Sequence, residues 1–412
     1  MSLTLINCCR SCKSKDISVV FELGEQALSG VFRFDRIDEI ISGPLSLVQC
    51  NNCTLVQLQN SYPLDEMYNE GYGYRSGATE YMQRHLIEIV NFAIKNTILK
   101  DNDCVLDIGC NDGTLLNNYP KDNLTRIGID PVAKKYLHIY QSDIKVVTDF
   151  FNKENYFSVS SHKAKIVTSI SMFYDLEDPL SFAKEVESVL SDDGVWVFEQ
   201  SYLPAMLRQN SYDTICHEHL EYYSLTAISF ILKEAGMTLI DASQNEVNGG
   251  SIRLAAAKNS SNLTSKVSPE VAWLIDQEKN HDVYSIDSFK VFEQNVNRQK
   301  VDLIKLLNEL KNKGKTVIGY GASTKGNVIL QYCGISSDLL PFIGDITPTK
   351  EGSLSPGTKI PIISMKSAKE MKPDYFLVLP WAFRSDILLR EKETIANGTK
   401  FIFPLPFVEI VS

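Results

Sequence analysis

Val105-Leu-Asp-Ile-Gly-Cys-Asn-Asp-Gly-Thr-Leu-Leu116 decides the fold of this chain. It reads as strand, turn and helix. Gly109 and Gly113 let the backbone approach a ligand closely. Asp130 ends the next apolar run, Thr125-Arg-Ile-Gly-Ile-Asp130, where an acid accepts from the two hydroxyls of a ribose. The spacing alone also suits a dinucleotide, but Asn111 stands where GxGxxG has its middle glycine, and a purely structural glycine turn is the plain alternative.

Outward from this turn, apolar runs recur at DCVLDIG, TRIGID, IKVVTD, AKIVTSI and GVWVFEQ, most of them separated by enough chain for a helix. That alternation predicts a parallel α/β sheet. The next two runs, MTLIDAS and SIRLAAAK, are separated only by QNEVNGG and read as an antiparallel hairpin with its turn at Asn248-Gly249-Gly250. Residues 66–258 form this central zone. Residues 1–65 carry cysteines and short strand-like runs. Residues 259–412 begin with a helical stretch over about 268–313, with Phe289, Phe292, Val296, Leu303, Leu307 and Leu310 on one face. Then Lys315-Thr-Val-Ile-Gly-Tyr-Gly-Ala-Ser-Thr-Lys-Gly-Asn-Val-Ile-Leu330 again reads as strand, glycine turn and helix, the start of a second, smaller α/β unit.

A net charge of −10 disfavours nucleic acid as the main partner, because binding phosphate backbones needs a basic surface. It leaves room for an anionic small molecule held at a local site. No run of about 18 apolar residues is present, so no membrane span is expected. An odd count of nine cysteines with two short pairs fits reduced thiols and a cytoplasmic location.

Cys9-Arg-Ser-Cys12 and Cys50-Asn-Asn-Cys53 form two CxxC knuckles. Two-residue spacing lets both thiolates of a knuckle meet one tetrahedral zinc, and the second knuckle closes the site without an open position, so the metal would be structural. Four unrelated thiols or a redox pair are the alternatives.

Thr214-Ile-Cys-His-Glu-His-Leu-Glu-Tyr-Tyr223 holds two of the six histidines around a glutamate. A metal site is disfavoured: zinc on a helix wants histidines at i and i+4, and His217 and His219 are at i and i+2. Acid–base chemistry and an ordinary buried core remain. In the second glycine turn, backbone amides suit a phosphate, Ser323 and Thr324 add hydroxyls, Lys325 adds a charge, and Asp345 ends the following strand where a ribose would lie. A degenerate nicotinamide site and an empty structural turn are the competing readings there.

Asp107-x-Gly109-x-x-x-Gly113 followed by Asp130 resembles the S-adenosylmethionine fingerprint of class I methyltransferases, as does the strand order with its terminal hairpin. Over nearly its full length the chain resembles the C-methyltransferases of nucleotide-linked 4-keto-deoxysugars. The matching elements are the two CxxC pairs, Tyr72-Gly-Tyr-Arg-Ser76, VLDIGCNDGTLL, HEHLEYYSL, Asn248-Gly-Gly-Ser251 and GYGASTKGN. The resemblance implies a small four-cysteine zinc domain, a class I methyltransferase domain and a C-terminal Rossmann-like domain that helps bind the sugar nucleotide. It implies S-adenosylmethionine at Asp107, Gly109, Asn111, Gly113 and Asp130. Asp149 and Phe150 would meet its adenine, and Ser171 and Met172 its methionine part; packing is an equal reading for Phe150.

It further implies His219 as general base, with Glu218 positioning the base or substrate. His217 would act as donor or orienting neighbour, and Tyr74 would face the sugar with Tyr72 beside it. Asn248, Gly250, Ser323, Lys325 and Asp345 would contact the nucleotide sugar, with the diphosphate at the second glycine turn. A proton on the carbon beside a ketone is acidic, a histidine has the right pKa to take it, and the developing enolate oxygen needs a donor. Cys216 stands where related enzymes often have tyrosine, and Asp175 near where many have histidine, which puts the identity of the sugar in question. An O-methyltransferase, or a sugar-nucleotide-binding relative with altered chemistry, is the alternative, and a monomer or small homo-oligomer is expected.

Overall fold

A computed structural model describes residues 3–35, 39–62, 75–120 and 123–412. The N-terminal sheet is built on a long hairpin. β2 (Ile17–Ala27) pairs antiparallel with β3 (Ser42–Cys50), and β3 with β4 (Val56–Leu58), the second CxxC knuckle forming the β3–β4 turn. A two-residue ribbon, β1 (Thr4–Leu5) against β5 (Asn60–Ser61), closes its end. The fourth strand of this sheet comes from far along the chain: β11 (Glu221–Tyr222), directly after the His217-Glu-His219 run, pairs with β4. Sequence reading had no signal for this, because two residues carry no periodicity.

The central sheet comprises β6 (Cys104–Ile108), β7 (Thr125–Ile129), β8 (Ile144–Val147), β9 (Ala164–Ile170), β10 (Leu190–Ser201), β12 (Met237–Asn245) and β13 (Ser251–Lys258). Their spatial order is β12-β13-β10-β9-β6-β7-β8. The five strands β6 to β10 are mutually parallel, and β13 enters between β10 and β12 antiparallel to both. This is the class I methyltransferase order, with the terminal hairpin as expected. Chain order reverses between β6 and β9, so ligands belong at the carboxyl ends of those strands. Helix α1 (Glu80–Asn96), capped by the Thr79 hydroxyl on the Met82 amide, buries Leu86, Ile89, Val90 and Ala93 against the sheet.

The expected helix after the first glycine turn does not form. Residues 111–115 run through turns into a short 3-10 segment, Leu116–Asn118. The Asn118 side chain takes the Thr114 carbonyl, the buried Arg126 takes that of Leu116, and Pro120 stops any continuation.

The C-terminal unit opens with two helices where one was expected. α2 (Pro269–Asn280) ends, a turn with Asp282 at φ 49° intervenes, and Ser285 caps α3 (Ile286–Asn312). The predicted face of α3 is buried, together with Gln299, whose amide reaches the Pro404 carbonyl. β14 (Val317–Tyr320), helix α4 (Thr324–Cys333), β15 (Ile343–Asp345), β16 (Ile362–Ser364), β17 (Tyr375–Val378), β18 (Lys400–Phe403) and β19 (Glu409–Val411) follow. Their order is β16-β15-β14-β17-β18-β19, all parallel except β19.

One apolar core runs from the N-terminal sheet through residues 203–222 into this unit; Phe21 meets Phe292 edge-on at 4.9 Å between ring centroids. Truncating a ring so placed typically costs about 3–5 kcal/mol, so the units are held as one packed body. No helix among the described residues is long and apolar enough to cross a membrane.

Candidate active site at the junction of three sheets

The four cysteines of the knuckles converge. Cys9 and Cys53 sulfurs lie 3.5 Å apart, as do those of Cys12 and Cys50, and all four sit within 4.8 Å of one another. Tetrahedral Zn–S bonds of about 2.3 Å place sulfurs roughly 3.8 Å apart, so the set fits a structural zinc and leaves no ligand position for chemistry. Between the first two cysteines, the buried Arg10 donates from Nη2 to the Asn60 carbonyl at 3.3 Å and from Nε to Glu177 at 3.2 Å, and it also bonds the Leu58 carbonyl. It lies 4.0 Å from Glu221 in β11. The zinc knuckle thus buttresses the strand that leaves the histidine run.

At the carboxyl edge of the central sheet, Gly109 (φ 75°), Asn111 (49°), Gly113 (76°) and Ser171 (55°) all take left-handed conformations, which fold two loops back over the ends of β6 and β9. A Cβ on Gly109 would stand 3.2 Å from Met172, and one on Gly113 would stand 2.7 Å from the Tyr140 ring. Asp130 fastens the turn: one oxygen accepts from the Asn111 amide at 2.8 Å and the other from the Val132 amide at 2.6 Å. Burial raises its pKa, and burial holds Asp107 up at about 7 while Thr168 donates to it at 2.6 Å. The segment after the tyrosine run lands on this turn. Ser76 donates its amide to Asn111, and Arg75 and Gly77 donate to Asp112, at 2.9–3.0 Å. Tyr72 and Tyr74 themselves lie outside the described residues. Phe150 presents a 56 % exposed ring with exposed Asp149 beside it, while Phe151 packs on Phe182. Strained loops, a backbone cradle, a buried acid and an open aromatic face fit S-adenosylmethionine.

The two histidines diverge. His217 is fully buried against the N-terminal unit, its ring edge-on to Tyr62 at 4.5 Å. The backbone of Gln26 and Gly43 lies near it without meeting hydrogen-bond geometry, and burial pushes its pKa down to about 4. His219 is half-buried. Its Nδ1 lies 2.8 Å from the Thr214 carbonyl oxygen, and its ring meets Tyr174 at 4.5 Å. A carbonyl can only accept, so Nδ1 carries the proton and Nε2 keeps its lone pair. Burial, then the nearby Lys325 charge, push its pKa down to about 3. Glu218 is buried beside Cys216 and against Gly30, where a Cβ would approach Oε1 to 2.6 Å; burial raises its pKa. Among the described residues, the Gln200 amide, the Thr214 hydroxyl, Glu218 Oε2 and the Tyr222 hydroxyl are buried polar atoms without a partner. Each such atom ordinarily costs about 1–3 kcal/mol, which a polar ligand would offset.

The hairpin turn and the second glycine turn meet beside this run. Asn248 (φ 55°) and Gly250 (φ 117°) shape the β12–β13 turn. The Lys325 ammonium donates to the Asn248 carbonyl at 2.8 Å. Ser323 caps α4 through the Gly326 amide at 3.0 Å. Asp345 accepts from the amides of Ala322 (2.6 Å) and Thr347 (2.7 Å). Asp213, in the turn that α4 packs on, accepts from the Trp381 indole at 2.7 Å. His219, Glu218, Asn248 and Lys325 are therefore gathered at one junction, Asp107 through Met172 form a second cluster at the sheet edge, and the cysteines stand apart. Sequence reading missed Thr214, which fixes the histidine tautomer through its backbone; a carbonyl contact leaves no signature in residue type.

Comparison with known proteins matches three family models in series: a zinc binding domain over residues 9–68, a methyltransferase domain over 78–242 and a C-methyltransferase C-terminal domain over 246–406. The chain is 29% identical over 409 residues to the C-methyltransferase NovU of Streptomyces niveus, covering 98% of this chain and 96% of that protein. Among solved structures, it is similar to the N-methyltransferase NodS of Bradyrhizobium japonicum WM9 in complex with S-adenosyl-L-homocysteine, at 14% identity, TM-score 0.34, 46% of this chain and 93% of that one. It is also similar to an S-adenosylmethionine-dependent methyltransferase from Clostridium acetobutylicum ATCC 824, at 14% identity, TM-score 0.34, 44% of this chain and 93% of that one.

Proposed function

Because the chain is an S-adenosylmethionine-dependent methyltransferase of the C-methyltransferase family with a structural zinc site, we propose that it methylates the carbon next to the ketone of a nucleotide-linked 4-keto-deoxysugar. The observation that carries this reading is His219, a neutral imidazole whose Nδ1–H is held by Thr214, leaving the Nε2 lone pair to accept a proton. Methylation of a hydroxyl needs a base only at oxygen; methylation of carbon needs one that can reach a C–H, and a fixed tautomer aimed from a buried junction suits that task. S-adenosylmethionine supplies a methyl group already activated for attack, so the protein's work is to make the carbon nucleophilic and to orient it. Glu218 positions the sugar, and His217, packed on Tyr62, orients the run. The nucleotide lies between the two α/β units, with Asn248, Gly250, Ser323 and Asp345 toward it. A reduced, cytoplasmic setting agrees with nine free cysteines, and the small-molecule reading with the acidic balance.

The test is exchange in heavy water. With a nucleoside diphosphate-linked 4-keto-6-deoxyhexose and S-adenosylhomocysteine, the enzyme should wash deuterium into the carbon beside the ketone. His219→Ala should bind S-adenosylhomocysteine normally and exchange about a hundredfold more slowly. Undiminished exchange in that variant rules out His219 as base. An O-methylated product without exchange would replace this reading with oxygen methylation.

A further inference from the structure

Lys325 belongs to the second glycine turn, yet its side chain leaves that turn. It crosses to the β12–β13 hairpin and donates to the Asn248 carbonyl at 2.8 Å. Helix α4, which starts at Thr324, packs on the Tyr212–Thr214 turn whose Thr214 carbonyl holds His219. The ammonium and the imidazole are thus fixed from two sides of one short turn. An ammonium has three donors, and one hydrogen bond is described for this one. Burial lowers the Lys325 pKa; of the titratable groups around it, Asp213 and then Cys216 favour its charge, and that charge in turn opposes protonation of His219. Asp213 Oδ2 is held by the Trp381 indole, and among the described residues Asp213 makes no close ion pair with the lysine.

We propose that Lys325 is the oxyanion donor of the reaction, hydrogen-bonding the ketone oxygen while His219 takes the neighbouring proton. This rests on the keto-sugar reading above, and it moves Lys325 from the diphosphate to the reacting carbonyl. His219 Nε2 accepts the proton, the C–H pair becomes the carbon–carbon double bond, and the carbonyl π pair moves onto oxygen, where it accepts from the Lys325 ammonium. Reversal in heavy water returns a deuteron to the carbon. Before proton transfer the site holds one cation and a neutral base. Afterwards it holds two cations with the enolate anion between them, so its net charge is unchanged. A lysine that keeps His219 neutral in the free enzyme therefore stops opposing its protonation once the enolate forms.

The experiment compares Lys325→Gln and Lys325→Arg with the wild-type enzyme, each checked for folding by thermal melt. The first measurement is deuterium exchange into the keto-sugar nucleotide at saturation, with S-adenosylhomocysteine present. Lys325→Gln should exchange about a hundredfold more slowly and Lys325→Arg should retain part of the rate. The second is NMR titration of the His219 imidazole in the free enzyme, which needs no substrate. Its pKa should rise in Lys325→Gln, and the acid limb of kcat/KM should move to higher pH with it. A raised KM with exchange at saturation intact would return Lys325 to the diphosphate and overturn the proposal, as would an unmoved His219 titration. Absence of exchange in the wild-type enzyme would instead overturn the keto-sugar reading beneath it.

Discussion

The two α/β units repeat one device. Each sheet begins strand, glycine turn, and each places an aspartate at the end of its next strand to fasten that turn. Asp130 accepts the amides of Asn111 and Val132, and Asp345 those of Ala322 and Thr347. The turns then part. The first keeps left-handed residues and no α-helix behind it, and its glycines are overlain by the side chains of Met172 and Tyr140. The second opens a regular helix capped by Ser323, Pro380 and Leu379 press on Gly321 and Gly326, and Lys350 reaches the Ala322 carbonyl at 2.7 Å. Where the first unit has Asp107 two residues before its glycine, the second has Gly319. The same fastening therefore serves two ends: the first turn is shaped as a cradle, and the second is closed by its own unit and sends Lys325 outward.

The sharpest way to break that comparison is to add one methyl group to each turn. Gly113→Ala should weaken S-adenosylhomocysteine binding about a hundredfold. The left-handed φ and a Cβ only 2.7 Å from the Tyr140 ring together cost about 3 kcal/mol, and relief requires deforming the cradle. Gly321→Ala meets the Pro380 ring at 2.8 Å with a φ of 81° and should cost similar stability, yet leave that affinity within about twofold. Calorimetric titration with S-adenosylhomocysteine and a thermal melt of each variant check both halves. Equal losses of affinity would mean that the second turn also holds the cofactor.

Removing the fastening acids sharpens the same contrast with a smaller effect. Asp345→Ala frees two backbone amides from a carboxylate and should lower stability by about 2 kcal/mol with affinity for S-adenosylhomocysteine unchanged. Asp130→Ala should lose similar stability and a further tenfold in affinity, since its carboxylate would also face the ribose. Denaturant unfolding and the same titration read the two effects separately. If Asp130→Ala binds as tightly as wild type, that acid only fastens the turn.

What the sequence revealed follows from how local each feature is. The strands of the central sheet are legible because apolar runs of this length bounded by glycine and acid are written in consecutive residues, and the CxxC pairs because four thiols need only close spacing to find one metal; the three-residue strands β16 and β19 of the C-terminal sheet are too short to show. The helix expected after Gly113 fails through a contact outside the local sequence, Arg126 of the next strand claiming the Leu116 carbonyl. The break at Asp282 within the helical stretch 268–313 leaves no mark in the sequence, because it sits in a polar stretch with no proline or glycine. Strand β11 was invisible because it exists only through its pairing with β4 of a unit about 160 residues earlier. For Lys325 the sequence shows its turn and hides its direction: the side chain reaches the Asn248 carbonyl, and α4, which carries it, docks on residues 212–214.

The smallest effect separates the helix from the lysine it carries. Ser323→Ala removes the hydroxyl that accepts from the Gly326 amide at 3.0 Å, a cap worth about 1 kcal/mol. The first turn has no α-helix to cap, so the loss should fall on the C-terminal unit alone, read as faster hydrogen exchange over residues 324–333 with the first turn unaffected. Lys325 lies in the first helical turn, anchored at its far end on Asn248, so loosening the cap should slow substrate deuterium exchange only a few-fold. A loss as large as that of Lys325→Gln would mean that the serine hydroxyl acts on the reacting sugar itself, beyond capping the helix and facing the nucleotide.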